Sequence, residues 1–212
     1  MPYSEDTRRS LSEVLASYTA RDVLLINVPS RWYRPIPALY PITTEHLLQA
    51  ENDFQLLGDQ DHEPNHGLLL LCSVLRENLI SFDLLDLHTL CYLSKYLDLG
   101  LDIDSIYISV IQRVNPRIIA FSSMLPNFPF AVRLATLSKE ALPDTTLIIG
   151  GAATVDIHHV LSTCIFDFAV IGESEISFPL LIRHVLTPSS DLLLSDISNI
   201  AYLNTNKQLH TT

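Results

Sequence analysis

NPRIIAFSSMLPNFPFAVRLATLSKEALPDTTLIIGGAAT, residues 115–154, spells out a strand, a helix and a second strand. RIIAFSSML (117–125) is an apolar run with a polar exit, the pattern of a buried strand. In the next segment Ala131, Leu134, Ala135, Ser138, Ala141 and Leu142 recur at helical spacing and share one face. Arg133, Lys139 and Glu140 are placed to face water, and Pro143 stops the helix. TTLIIGG is a strand again, and it ends on two of the chain's six glycines, side by side. Adjacent glycines at a strand exit mean that something comes close to the backbone there, either another part of the chain or a ligand.

The same alternation extends in both directions. DVLLINVPS (22–30) is a buried strand closed by Pro29 and Ser30, and LISFDLLDLH (79–88) is a second strand. FDFAVIGESE (166–175) is a strand running into a glycine turn, and ISNIAYLN (197–204) is one more strand in the tail. Helical patterns fall at HGLLLLCSVLREN (66–78), apolar on most faces, and over 89–115 as one or two helices ending at Asn115-Pro116. Two more helices are TVDIHHVLSTC, with Thr154 or Asp156 as N-cap, and SFPLLIRHVLT. Residues 1–20 read as an N-terminal helical arm, with Leu11, Val14, Leu15 and Tyr18 at helical spacing. Residues 31–66 read as a long loop with a short helix near TTEHLLQAENDF. Strands at 22–28, 80–86, 117–122, 146–149 and 167–171 alternate with helices, which predicts an α/β fold. Apolar strands with right-handed crossovers make it a doubly wound, five-stranded parallel sheet.

At 212 residues the chain is one domain with short additions at its ends, and nearly half of it is hydrophobic. A net charge of −11 argues against nucleic acid or an anionic membrane as partner. No apolar run has membrane-spanning length and no signal peptide is evident, so a cytoplasmic location is expected. Cys72, Cys91 and Cys164 sit far apart in apolar segments and read as structural thiols. With no CxxC or CxxxCxxC, the chain has no cysteine site of its own for zinc or an iron–sulfur cluster.

In doubly wound folds ligands sit beyond the carboxyl ends of the strands. The exits there hold Asn27 and Pro29, then Ser122, Ser123, Met124, Leu125 and Pro126, then Gly150, Gly151 and Ala152, then Gly172 and Glu173. A cleft floored by glycine and serine admits a ligand close to backbone N–H and C=O groups. It is not a dinucleotide site, since GxGxxG does not follow the first strand, and GxxxxGK[ST] is also missing. GxSxG is absent, so no serine triad is argued. His62, Glu63 and His66 have Pro64 between them, which suits a solvated loop better than a metal site. His158 and His159 read as exposed residues of a helix. Trp32, Tyr33 and Arg34 either cover a bound ring or pack the long loop.

Taken together, VLLINVP (23–29), GLLLLCSVLREN (67–78), DLLDLH (83–88), the 115–154 segment and FDFAVIGESEISFPLLI (166–182) resemble a known family. It is the cobalamin (B12)-binding domain found at the N-terminus of many B12-dependent radical SAM enzymes. The resemblance covers about residues 21–186 and leaves 187–212 as a C-terminal strand and tail. It implies a Rossmann-like sheet with the corrin ring on its carboxyl edge and the nucleotide tail running down between strands and helices. On that pattern Gly150 and Gly151 let the tail pass, and Ser122 and Ser123 bond it. Met124, Leu125 and Pro126 lie under the corrin, and Gly172 and Glu173 line the tail's other side.

The chain departs from the family pattern in two places. Corrinoid proteins of the methionine synthase type carry DxHxxG after the first strand, where this chain reads VPSRWYRP, without a histidine. Asp86-Leu87-His88 resembles a fragment of that motif but follows the second strand, with Cys91 in the glycine's place, so His88 reads as a surface or loop residue. Cobalamin is therefore expected base-off, with no histidine ligand and no metal held by the protein itself. The radical SAM motif is also missing, so no catalysis is expected of this chain alone. The implied role is a carrier or N-terminal domain working with a radical SAM catalytic domain or subunit in methyl transfer or related radical chemistry. The rival reading is a cofactor-free interaction or regulatory subunit of the same fold.

Overall fold

The computed structural model describes residues 3–29, 65–96, 100–163, 165–188 and 191–212. Its strands are β1 (Val23–Asn27), β2 (Phe82–Asp86), β3 (Ile118–Ser122), β4 (Thr146–Gly150), β5 (Phe168–Val170), β6 (Ile200–Leu203) and β7 (Leu209–Thr211). Its helices are α1 (Tyr3–Ala16), α2 (His66–Glu77), α3 (Leu87–Tyr96), α4 (Ile103–Val114), α5 (Phe128–Ala141), α6 (Ile157–Thr163) and α7 (Ser177–Leu186).

The strands form one sheet in the order β2-β1-β3-β4-β5-β6-β7. Neighbours from β2 through β5 pair in parallel, as the apolar runs predict. The expectation of five strands, all parallel, is corrected. Among the described residues the sheet has seven, and β6 and β7 pair antiparallel beyond β5. The tail strand is legible in the sequence but its direction is not. β7, Leu-His-Thr, is too short and polar to register as a strand. It forms because Asn204 and Gln208 close a hairpin, the Asn204 N–H donating to the Gln208 carbonyl at 2.9 Å.

Strand alternation divides the core in two. Leu24, Ile26, Ile119, Phe121, Leu147 and Ile149 face one side, where α4, α5 and α6 pack on them. Val23, Leu25, Ile118, Ala120 and Ile148 face the other side, under α2 and α7. The small face expected on the 127–144 helix is the buried face of α5, with Ala131, Leu134, Ala135 and Ser138 fully covered. Ser138 is not only small. Its hydroxyl donates to the Leu134 carbonyl at 2.7 Å and lies 2.6 Å from the buried Tyr107 hydroxyl of α4. Asn115 ends α4 in the left-handed conformation (φ 47°), which asparagine tolerates better than most residues. Asp156, rather than Thr154, caps α6, its carboxylate accepting from the His159 N–H at 3.0 Å.

α1 packs against the core rather than standing off it. Leu11, Leu15 and Tyr18 pack on the α4–α6 side of the core. The Tyr18 hydroxyl donates to the Leu84 carbonyl at 2.7 Å, which occupies an acceptor of the edge strand β2. An edge strand with its acceptors covered is a poorer template for another chain. Burial, with Asp83 and Asp86 nearby, pushes the Tyr18 hydroxyl up to about 12 from an ordinary 10.0. The folded state therefore holds this proton more tightly than the unfolded chain. Its contribution is complete below pH 10 and is lost as pH rises toward 12. Tyr18→Phe is expected to lower the urea midpoint near neutral pH, and that difference from wild type should shrink between pH 10 and 12. A difference that grows with pH would contradict this assignment.

Candidate functional site

On the α2–α7 side, Leu25, Ala120 and Ile148 form one row across β1, β3 and β4, and Asn27, Ser122 and Gly150 form the row at the carboxyl edge. The middle of this surface is low because Ala120 and Gly150 carry so little. α2 contributes Gly67, Leu68 and Leu71 as one wall, and α7 contributes Phe178 to the other. The result is a slot of about 380 Å³, open at the carboxyl edge and rimmed by Ser122, Gly172, Glu173, Ser174 and Glu175. This lies within the range of roughly 300–1,000 Å³ usual for small-molecule sites. At the far ends of the two helices, Arg183 of α7 donates to the Asn78 side chain at 2.8 Å. The helices are thus bridged at one end and parted by the slot at the other.

The two glycines have different reasons to be there. Gly151 has φ +88°, and a Cβ on it would lie 2.6 Å from the Ser123 carbonyl oxygen. That close approach is the chain to itself, since the Ala153 N–H also bonds the same carbonyl at 3.0 Å. Gly150 has ordinary strand geometry, and a Cβ there would meet only the Val170 carbonyl, at 3.8 Å. Gly150 is the residue whose bareness keeps the slot open. Gly172 (φ +64°) has open space around it and is held by its turn alone.

The serines divide in the same way. Ser122 lines the slot, and its hydroxyl accepts from the Asn65 side chain at 3.1 Å. Ser123 is 1% exposed, and its hydroxyl is used on the Met124 carbonyl and on Asn127 Oδ1 at 3.0 Å, away from the slot. Asn127 also donates to the Val28 carbonyl at 3.1 Å, tying the exit of β3 to that of β1. This fixes the turn that presents Met124, Leu125 and Pro126 to solvent, with Met124 61% and Leu125 56% exposed. Val155 after β4 and Ile176 after β5 are also exposed, so three neighbouring strand exits carry bare apolar side chains.

Asn27 and Pro29 are buried and do not line the slot. Asn27 donates to Asp86 at 2.9 Å and accepts from Asn65 at 3.1 Å. Asp86 in turn caps α3 through the Thr89 N–H and hydroxyl. Sequence reasoning missed Asn65, whose side chain caps α2 by accepting from the Leu68 N–H at 3.1 Å while donating to Asn27 and Ser122. An asparagine directly before an apolar helical run was the available signal. Gly67, Leu68, Leu71 and Phe178 were also missed, because a wall is a property of packing between distant elements. Asn65→Ala should cost about 1–2 kcal/mol in urea unfolding, for a lost cap and two lost side-chain bonds. A loss under about 0.5 kcal/mol would mean that these bonds hold nothing in place.

His88 is half-buried in the first turn of α3, not in a loop. Burial, reinforced by Asp86 and Asp104, pushes the Cys91 thiol up to about 12, and burial raises that of Cys72 as well. Both are thiols rather than thiolates at neutral pH, as structural cysteines should be. Cys164, Trp32, Tyr33, Arg34, His62 and Glu63 lie outside the described residues, as does most of the expected 31–66 loop. Among the described residues no cluster of His, Cys, Asp or Glu could hold a metal ion, and no helix is long and apolar enough to cross a membrane.

The family model of the B12 binding domain matches residues 60–182, which carry α2, the β2–β5 strands and most of the slot. The chain belongs to the B12-binding domain family. No curated protein sequence matches it. Among solved structures this B12-binding domain is similar to the radical S-adenosylmethionine methyltransferase TsrM of Kitasatospora setae with tryptophan and a SAM analogue bound. That match has a TM-score of 0.59 at 14% identity and covers 89% of this chain and 29% of TsrM. TsrM with cobalamin and a [4Fe-4S] cluster bound matches with a TM-score of 0.55 at 14% identity, over 89% of this chain and 28% of that one. The cobalamin-dependent S-adenosylmethionine radical enzyme OxsB matches with a TM-score of 0.54 at 18% identity, over 96% of this chain and 23% of OxsB. At such identities the likeness is one of fold, and the domain spans less than a third of either enzyme's length.

Proposed function

We propose that this domain holds cobalamin base-off, with the nucleotide tail in the slot and the corrin ring on the exposed apolar exits. The observation that carries the reading is the bare Gly150–Ala120 floor, a cradle that a Cβ at Gly150 would begin to fill. The residues suit the group. Hydrocarbon walls suit an aromatic base, and Ser122 and the backbone of Gly172 suit polar atoms passing the rim. Met124, Leu125 and Pro126 suit the underside of a flat macrocycle. Glu173 stands exposed at the rim, where a carboxylate accepts from the amide arms of a corrin. Gly151, Ala152 and Ser123 shape the exits of β3 and β4, and Asn27 and Pro29 shape that of β1. An unfilled apolar slot forgoes dispersion contacts on both walls, which weighs against a cofactor-free interaction or regulatory subunit.

The stretch directly after β1 reads VPSRWYRP, without a histidine, so the lower face of the ring is offered apolar side chains rather than an imidazole from that turn. Cobalamin so bound supplies a cobalt centre that carries a methyl group or takes part in radical chemistry. The chain's own residues bind, orient and screen it from water. The cofactor-holding unit is assigned to residues 21–186, flanked by 1–20 and 187–212. Its role is that of carrier or N-terminal domain to a B12-dependent radical SAM catalytic domain or subunit, in the cytoplasm. The absorption spectrum of the bound cofactor at neutral pH tests the ligation. A base-off spectrum is expected, and a base-on or imidazole-coordinated spectrum would overturn it.

A further inference from the structure

The depth of the slot bears on which corrinoid it accepts, an inference that rests on cobalamin being held there. In a cobamide the lower base is the last group of the tail, after phosphate and ribose. With the ring at the carboxyl edge, the base is what reaches the deep end. There the lining is Leu25, Leu68, Leu71, Ala120, Ile148 and Phe178. None of these side chains has a polar atom. Backbone groups of Leu25, Ala120 and Ile148 are engaged in the parallel ladder of β1, β3 and β4. The polar side chains Ser122, Glu173, Ser174 and Glu175 all belong to the rim, and the buried hydroxyl of Ser177, without a hydrogen-bond partner among the described residues, is not part of the lining.

Any base released from cobalt exposes one ring nitrogen. Dimethylbenzimidazole adds only methyl groups and ring carbon edges. Adenine adds an exocyclic amine and further ring nitrogens, each of which would leave water without a partner at this depth. We propose that the slot is a specificity filter for the lower base, accepting benzimidazole-tailed cobamides and rejecting adenine-tailed ones. The discrimination comes from the protein's lack of donors and acceptors, as in other sites that penalise an unpaired polar group.

The test is equilibrium gel filtration of the full chain against hydroxocobalamin, its adenine-tailed counterpart and tail-less cobinamide, read by corrin absorbance. Adenine-tailed corrinoid is expected to bind roughly ten- to a hundredfold more weakly than cobalamin. Cobinamide should also bind more weakly than cobalamin. Ala120→Ser, which places one hydroxyl on the floor, should narrow the gap between the two bases about threefold or more. Equal binding of the two tailed forms overturns the filter but leaves cobalamin binding itself intact. Cobinamide binding as tightly as cobalamin overturns the filter by showing that the tail is not held. An unchanged base preference in a folded Ala120→Ser chain overturns the placement of the base over Ala120. Failure of all three corrinoids to bind overturns the cobalamin assignment itself.

Discussion

Gly150→Leu is expected to abolish cobalamin binding, by on the order of a hundredfold or more, while the chain stays folded. The leucine would stand on the slot floor, on the same face of β4 as Ile148, where the Val170 carbonyl oxygen is 3.8 Å from the new Cβ. Strand geometry at Gly150 suits an ordinary residue, and glycine weakens a strand through its unfolded-state entropy. The variant should therefore unfold in urea at or above the wild-type midpoint in the absence of cofactor. Cobalamin retained with near wild-type affinity would show that the tail does not enter the slot.

Gly151→Ala should do the opposite one residue later. The substitution places a Cβ 2.6 Å from the Ser123 carbonyl oxygen on a backbone with φ +88°. That oxygen belongs to the backbone and accepts from Ala153, so it cannot swing aside. The expected cost is about 2–4 kcal/mol in urea unfolding, from strain and a displaced turn. Whatever folded protein remains should bind cobalamin with a smaller loss than Gly150→Leu shows. A Gly151→Ala chain as stable as wild type would mean that the β4 exit is free to rearrange.

On the proposed reading the double glycine answers to both causes, a ligand at Gly150 and the chain's own backbone at Gly151. Gly150 is the last residue of β4, whereas Gly151 lies past the strand end in a left-handed turn against Ser123. The parallel strands β1, β3, β4 and β5 were legible because each is an apolar run with a turn at its end, and burial on both faces demands that composition. The hairpin partner β7 was not, since Leu-His-Thr has no pattern to read. At the site, the serine pair shows the same limit. Ser122 and Ser123 look equivalent in a string of letters. In the sheet Ser122 shares a face with Ala120 and reaches the slot, while Ser123 leaves the strand and is consumed by Asn127. The α2 wall depends on how helices far apart in the chain settle over small residues. No local periodicity encodes that distance.

Cobalamin binding by the wild-type chain is the first thing to measure, by equilibrium gel filtration with hydroxocobalamin. About one equivalent of corrinoid should co-elute with the folded, monodisperse chain. A folded, monodisperse chain that elutes colourless would contradict the assignment, and the slot between α2 and α7 would then have to serve something other than cobalamin.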